Sequence, residues 1–482
     1  MRNTTNSRKH NTVYCVERIF FLTFLLASIL SACGSSQLNE HTLTPSPSDT
    51  PTVVPTFTPS PTQTSILLGS YELLSPEDMR FDLDELFHRI ETTHPNPYTK
   101  RTKTEVDLER QHIYADLLQP MTVIDYYKKI APLVNSLGDY HTTILTPDNA
   151  VDVSKELLFP FDVQMEGDRA YIISNYSGNA NVKLGTELLE VNSIPIAVIY
   201  DESKGYFPIG STLRQREFWF LFGSPREYQV KLLLSGETEP VNLIIPSLTF
   251  EKLMQHRDAS QSWEPVVYAT LPGEKIGVLN INSFVGIGPL LKTAFTQIQE
   301  DGVQQLIIDI RANGGGFYDS VESLMDYLTD EPYKLCSQSY QAPFGGYGSG
   351  NPRESTCELI QPVDVSQRYR GKLYLLIGPD TFSGAITFAT ILQDSHLALL
   401  IGEETTDSAS HCANIIPEGT SLPRTGLKYV LSRTCFIRPS GVVDDRGVIP
   451  DFTIKTTVED QIADNDPVLT YTLEMIRGGN PP

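Results

Sequence analysis

The stretch Lys372–Gln393, KLYLLIGPDTFSGAITFATILQ, decides how the chain is read. It opens on an apolar run, Leu373–Ile377, of the length and richness of a buried strand. Gly378, Pro379 and Asp380 break that strand, and Thr381–Ala385 leads into an apolar helical segment, Ile386–Leu392. Ser383 is therefore set at a strand-to-helix turn, in the first turn of a helix. Free backbone N–H groups and the positive end of the helix dipole face any oxyanion formed there. Gly384 leaves the hydroxyl uncrowded. The plainer reading is that Ser383 or Thr381 is an N-cap. Distant segments bear on the choice.

Working outward, Ile276–Ile281 and Gln305–Ile310 read as buried strands. Leu290–Glu300 and a segment from about Tyr318 to Leu328 read as helices. Leu397–Ile401 and Lys428–Arg438 read as further strands, and Ser337–Gln361 as a surface excursion. Strands alternating with helices imply an α/β fold with a mainly parallel sheet. Arg311-Ala312-Asn313-Gly314-Gly315-Gly316 follows the second strand. It lacks the Lys-Ser/Thr of a phosphate loop, but a glycine run there can present backbone N–H groups at close quarters.

Upstream, Ser75-Pro76-Glu77-Asp78 is a helix start, with Phe81, Leu83, Leu86, Phe87 and Ile90 as an apolar face. Helices are predicted over Glu105–Leu118 and Val123–Leu137, and Gly138-Asp139-Tyr140-His141 ends the last of them. The 160–246 region reads as short strands. Leu184–Ile196 resembles the core of a PDZ domain, with Thr186 for the usual Asp and Ser193 for the usual Gly. That region is either a peptide-binding module or a β-rich packing insert.

A length of 482 residues implies more than one core, and a net charge of −22 argues against a nucleic-acid partner. Arg2, Arg8, Lys9 and Arg18 precede an apolar Ile19–Ile29, the pattern of a secretory signal. Leu30-Ser31-Ala32-Cys33 is similar to the lipobox of bacterial lipoproteins, which implies lipidation of Cys33 and an extracytoplasmic, membrane-anchored protein. The Pro/Thr/Ser tract from about Thr42 to Ser65 cannot bury a core and at about 3 Å per residue holds the domain off the membrane. The remaining cysteines, even in number, predict Cys336–Cys357 and Cys412–Cys435 disulfides in an exported domain. No cysteine or histidine spacing suits zinc. The expected organisation is 1–32 signal, 33–69 linker, 70–150 helical domain, 151–250 PDZ-like domain and 251–482 α/β core.

LIIDIRANGGG followed by LLIGPDTFSGAITFA looks like the serine peptidase family of the C-terminal processing (tail-specific) proteases and the tricorn core. The order of helical segment, PDZ-like insert and αβ core matches too. The resemblance implies a crotonase- or Clp-like αβ superhelix, with Ser383 as nucleophile. It implies an oxyanion hole from the N–H groups of Gly384 and of Gly315 or Gly316. In the processing proteases a Lys after the nucleophile helix is the base. Here the corresponding stretch is Ile401–Ala409, with Ser408 or a close neighbour at that place, and no Lys occurs between Lys372 and Lys428. The tricorn-like branch uses a His instead, in a segment that Asp139-Tyr140-His141-Thr142 resembles. It places a carboxylate in a late E-N-R-G-V-x-P-D run, here Asp444–Asp451. An imidazole titrates near neutrality and can take the serine proton. The expected set is therefore Ser383, His141 and Asp444, with Tyr140 and Asp445 in support. It needs no metal, nucleotide or other cofactor. The implied activity is endopeptidase cleavage of peptides or unfolded protein tails. The alternative is a non-catalytic peptide- or ligand-binding lipoprotein on the same fold.

Overall fold

The computed structural model describes residues 73–147, 155–206, 212–256, 263–343, 350–413, 421–443 and 445–478. The signal, the linker, Cys33 and Asp444 lie outside the described residues.

The centre is a six-stranded sheet in the order Val266–Thr270, Ile276–Ile281, Gln305–Asp309, Lys372–Ile377, Ala398–Gly402, Phe452–Thr453. Every pairing after the first is parallel. The four inner strands are mainly apolar on both faces because both faces are covered. Leu373, Leu375 and Ile377 face a core shared with helices Gly288–Glu300, Tyr318–Leu328 and Gly384–Asp394. Tyr374 and Leu376 face the opposite side, where helix Pro467–Ile476 packs. Arg311 pairs with both Asp309 and Asp466, which ties that last helix to the end of a central strand.

The N-terminal helices are Pro76–Thr93, Lys103–Asp116 and Val123–Asn135. Ser75, Thr102 and Thr122 cap them as side-chain acceptors. Phe81 is exposed rather than on the buried face. Their core is completed by a distant part of the chain: Leu422, Leu427, Tyr429 and Leu431 pack into it. Thr143–Ile144 pairs with Tyr429–Val430. Asp82, buried in the first helix, accepts the backbone N–H groups of Arg424 and Thr425. This docking carries the Asp139–His141 turn over to the α/β core.

The middle region forms a seven-stranded sheet with the path order Val241–Pro246, Glu227–Leu233, Glu187–Val191, Arg169–Asn175, Phe161–Glu166, Thr212–Leu213; Ile194–Pro195 pairs beside Glu187–Val191. It has its own core around Phe159, Phe161, Phe218 and Tyr228.

Two further expectations are revised. The 337–361 segment is a hairpin, Gln338–Gln341 against Arg353–Thr356, added to a second sheet rather than a bare excursion. Lys428–Arg438 is two short strands in different sheets, Tyr429–Val430 and Thr434–Ile437. Both disulfides form as read: Cys336–Cys357 links the two flanks of the hairpin, and Cys412–Cys435 joins facing residues of adjacent strands.

Candidate active site

Ser383 holds φ 54° and ψ −123°, a conformation that non-glycine residues rarely adopt. Its side chain makes no capping hydrogen bond to the helix it precedes, so the N-cap reading fails. The turn is held from below instead. Thr381, fully buried, donates its hydroxyl to Ile310 O and accepts from Gly378 N. Phe382 N donates to Asn313 O. Asn313, also fully buried, donates through Nδ2 to Ile281 O and accepts from Gly315 N. The glycine run and the serine turn are thereby laced together.

The glycines are there for contact. A Cβ on Gly315 would meet Ser383 Cβ at 2.6 Å and Phe382 O at 2.7 Å, and one on Gly316 would meet Phe284 O at 2.4 Å. Gly315 has φ 100° and Gly316 φ 143°. Of the expected oxyanion donors, Gly315 N–H is engaged by Asn313. Neither Gly316 N–H nor Gly384 N–H donates to any acceptor among the described residues. A Cβ on Gly384 would lie 3.3 Å from Gly316 N, so the two amides are close neighbours at the helix N-terminus.

His141 is brought to this turn. Its ring stacks on Phe382, the residue before Ser383, with centroids 4.5 Å apart and planes 14° from parallel. Tyr140, partly exposed, sets its ring edge-on to the same Phe382. The turn is fixed by Asp139, which accepts from His141 N, Thr142 Oγ1 and His94 Nε2. His94 Nδ1 accepts from Asn96 N, which assigns its proton to Nε2. Burial opposes ionisation of Asp139, but the His94 hydrogen bond and the neighbouring imidazoles hold its carboxyl below the usual range. Burial lowers the affinity of His141 for a proton, with Asp139 acting against it.

Asp407, which the sequence reading did not single out, is beside His141. Its Oδ2 lies 3.9 Å from His141 Nδ1, and both side chains are more than nine-tenths buried. That separation is too long for a hydrogen bond. Burial first, then the charge of Asp139, pushes the Asp407 carboxyl up to about 8. Burial of both groups favours the neutral pair over the ion pair. His411 stacks behind His141 at 6.0 Å, and burial pushes it down to about 3. Both ring nitrogens of His141, both of His411 and Asp407 Oδ2 have no hydrogen-bond partner among the described residues.

Asp445, the fallback carboxylate, is a correction: its side chain is 86% exposed and pairs with Lys100, so it does not reach His141. The rest of the late run acts on the loop carrying Asp407. Arg446 and Gly447 N hold Glu404, Val448 N donates to Thr405 Oγ1, and Ala409 N donates to Arg446 O. His94, Cys412 and Cys435 have converging ligand atoms, but both sulfurs are committed to the disulfide and His94 to Asp139.

The fold is that of mature CPAF: its lactacystin complex superposes with a TM-score of 0.60, covering 84% of this chain and 99% of that one at 16% identity. Residues 275–454 match the pattern of peptidase family S41. The tail-specific protease of Haemophilus influenzae is 25% identical over 36% of this chain and 24% of its own length. A probable CtpA-like serine protease of Staphylococcus epidermidis is 22% identical over 69% of this chain and 63% of its own. The tricorn protease of Thermoplasma acidophilum is 22% identical over 65% of this chain and 27% of its own. The chain thus spans between a quarter and just under two thirds of the length of these relatives.

Proposed function

We propose that the chain is a serine endopeptidase that cuts peptide bonds in peptides or unfolded protein tails through an acyl-enzyme at Ser383. The observation that supports this best is the turn itself. A serine is held in a strained conformation, its hydroxyl is unused by the helix, and the unpaired amides of Gly316 and Gly384 lie beside it. In the proposed reaction Ser383 Oγ bonds to the scissile carbonyl carbon as its proton passes to His141. The C=O π pair moves onto oxygen, where the two amides and the helix N-terminus stabilise it. Collapse breaks the C–N bond, and His141 returns the proton to the leaving amine. Water then repeats the sequence to free the acid and Ser383. Burial keeps His141 neutral, as a base must be. Its nitrogens are unpaired in this structure, so the Ser383–His141 hydrogen bond forms as substrate closes the site.

The names of the relatives, tail-specific and C-terminal processing proteases, favour chain ends as substrates. The disulfides suit an oxidising compartment, and the signal and Cys33 suit export and lipid anchoring. Among the described residues no helix is long and apolar enough to cross a membrane. A fluorophosphonate probe on the purified full chain tests the assignment. Wild type should label and Ser383→Ala should not. Equal labelling of the two removes Ser383 as nucleophile.

A further inference from the structure

We propose that Asp407 is the positioning carboxylate of His141, the part that the late acidic pair Asp444 and Asp445 was expected to play. The inference rests on the peptidase reading above. It stands first on geometry. Asp407 Oδ2 is the carboxylate oxygen within 4.0 Å of a His141 nitrogen among the described residues, and it faces Nδ1. A base that takes a proton at one ring nitrogen needs its other N–H held, so a carboxylate at Nδ1 leaves Nε2 for the serine.

The second observation is that this oxygen is otherwise unemployed. Oδ1 accepts from Ser408 N, while Oδ2, nearly inaccessible, has no hydrogen bond. A buried carboxylate oxygen without a partner is costly to fold. A side chain kept for stability alone would be better as an amide or an apolar residue. The loop is nonetheless fixed: Thr405 Oγ1 donates to Asp407 O, and Arg446, Gly447 and Val448 clamp the residues before it. The chain thus spends a rigid clamp on placing an unsatisfied acid next to an unsatisfied imidazole.

The groups facing Asp407 are His141 and Asp139 from the helical turn, Tyr140 beside them, and His411 behind His141. Asp139 is ionised and committed to His94, so it repels a charge on Asp407. When His141 receives the serine proton, the imidazolium supplies the opposite charge that Asp407 lacks at rest. The 3.9 Å contact then becomes a charged pair in a dry site, where such a pair is strong. The proton on resting Asp407 leaves to solvent before the step, so activity rises as pH passes through the Asp407 titration.

The sign for stability follows from linkage. An unfolded aspartate has a pKa of about 3.9, whereas this carboxyl is pushed up to about 8 in the fold. The folded state holds the proton more tightly, so burying this group costs stability progressively as pH rises from about 4 to about 8. Asp407→Asn removes that cost.

The test uses the purified full chain. Fluorophosphonate labelling rate and peptide kcat/KM are measured from pH 5 to 9 for wild type, Asp407→Asn and Asp407→Ala, with melting temperatures alongside. Asp407→Asn should label at least roughly 100-fold more slowly, lack the alkaline rise, and melt at or above wild type at pH 8. Asp407→Ala should regain part of its rate with added formate, a carboxylate small enough for the vacated space. If both variants label at the wild-type rate while wild type labels normally, the inference falls and the peptidase reading stands. It falls also if Asp407→Asn melts well below wild type and formate restores nothing, the signature of a structural residue. A wild type that does not label overturns the peptidase reading and this inference with it.

Discussion

Among the described residues two serines hold a positive φ, and they are kept there by opposite means. Ser193 sits in an exposed two-residue hairpin turn between Val191 and Ile194, with φ 65°, next to Asn192 at φ 51°. Ser383 has φ 54°, half-buried between the end of a central strand and an apolar helix. At Ser193 the strain is incidental: a two-residue turn of this hand wants Gly, and a serine is tolerated because Asn192 pairs with the backbone of Gln229 and sets the turn. At Ser383 a neighbouring loop whose own glycines touch the serine holds the strain in place. A strained residue persists where its surroundings over-determine it, and a reactive site is where that is worth the cost.

The comparison breaks most visibly at the cradle. Gly315→Ala puts a methyl group 2.6 Å from Ser383 Cβ and 2.7 Å from the Phe382 carbonyl, at a φ of 100° that alanine resists. Backbone must move, because two of the three nearest neighbours, Phe382 O and Gly384 N, are backbone atoms. Displacements of about 1 Å at a reacting group cost about 100-fold, so kcat/KM should fall at least that far. Gly316→Ala, 2.4 Å from Phe284 O, should in addition cost about 2–4 kcal/mol of stability. Peptide turnover and denaturant midpoints check both. A Gly315→Ala enzyme with wild-type turnover would show that the contact does not set the serine.

Much of the serine half was legible. A strand broken by Gly-Pro-Asp and resumed as a helix is a local pattern, and so is the glycine run after the preceding strand. What held those two pieces together was not. Asn313 and Thr381 are ordinary polar residues in a sequence, and only the fold makes them buried bridges. The imidazole half was legible by resemblance alone. Helical periodicity revealed an apolar face on the first helix but not that Leu422–Leu431 would cover it, since a stripe names no partner. Asp407 escaped because an acid within Glu403-Glu404-Thr405-Thr406-Asp407-Ser408 carries no local sign of burial. Its neighbours Glu404 and Thr405 are spent on holding the loop, and that turns Asp407 inward. Ser193 stands where the PDZ-like pattern has Gly, and the structure gives that substitution its meaning as a left-handed turn residue.

A sharper version of the comparison replaces the serines themselves. Ser383→Ala keeps a Cβ in the strained conformation, whereas Ser383→Gly relieves it. Both remove the proposed nucleophile, so their difference in stability isolates the stored strain. Strain of this kind is worth on the order of 1–3 kcal/mol, less the roughly 0.5–1 kcal/mol by which glycine stabilises the unfolded chain. Ser383→Gly should therefore unfold at higher denaturant than Ser383→Ala, by about 1 kcal/mol. Equal midpoints would mean that the turn is relaxed and that its shape owes nothing to the cradle.

The smallest effect belongs to Ser193→Gly. A left-handed non-glycine residue costs about 1–2 kcal/mol, again offset by the added freedom of glycine when unfolded, so the net gain should be about 0.5–1 kcal/mol. Ser193 is exposed and the hairpin belongs to the separate sheet of the middle region, so kcat/KM should not change. The midpoint of denaturant unfolding and the kcat/KM of Ser193→Gly measure the two halves of the claim. A gain in stability without loss of turnover would show that the same backbone sign is dispensable in one turn. At Ser383, relieving it removes the hydroxyl of the proposed nucleophile. A loss of turnover at Ser193→Gly would instead mean that the middle sheet governs the site through this hairpin, and the contrast between the two turns would fail.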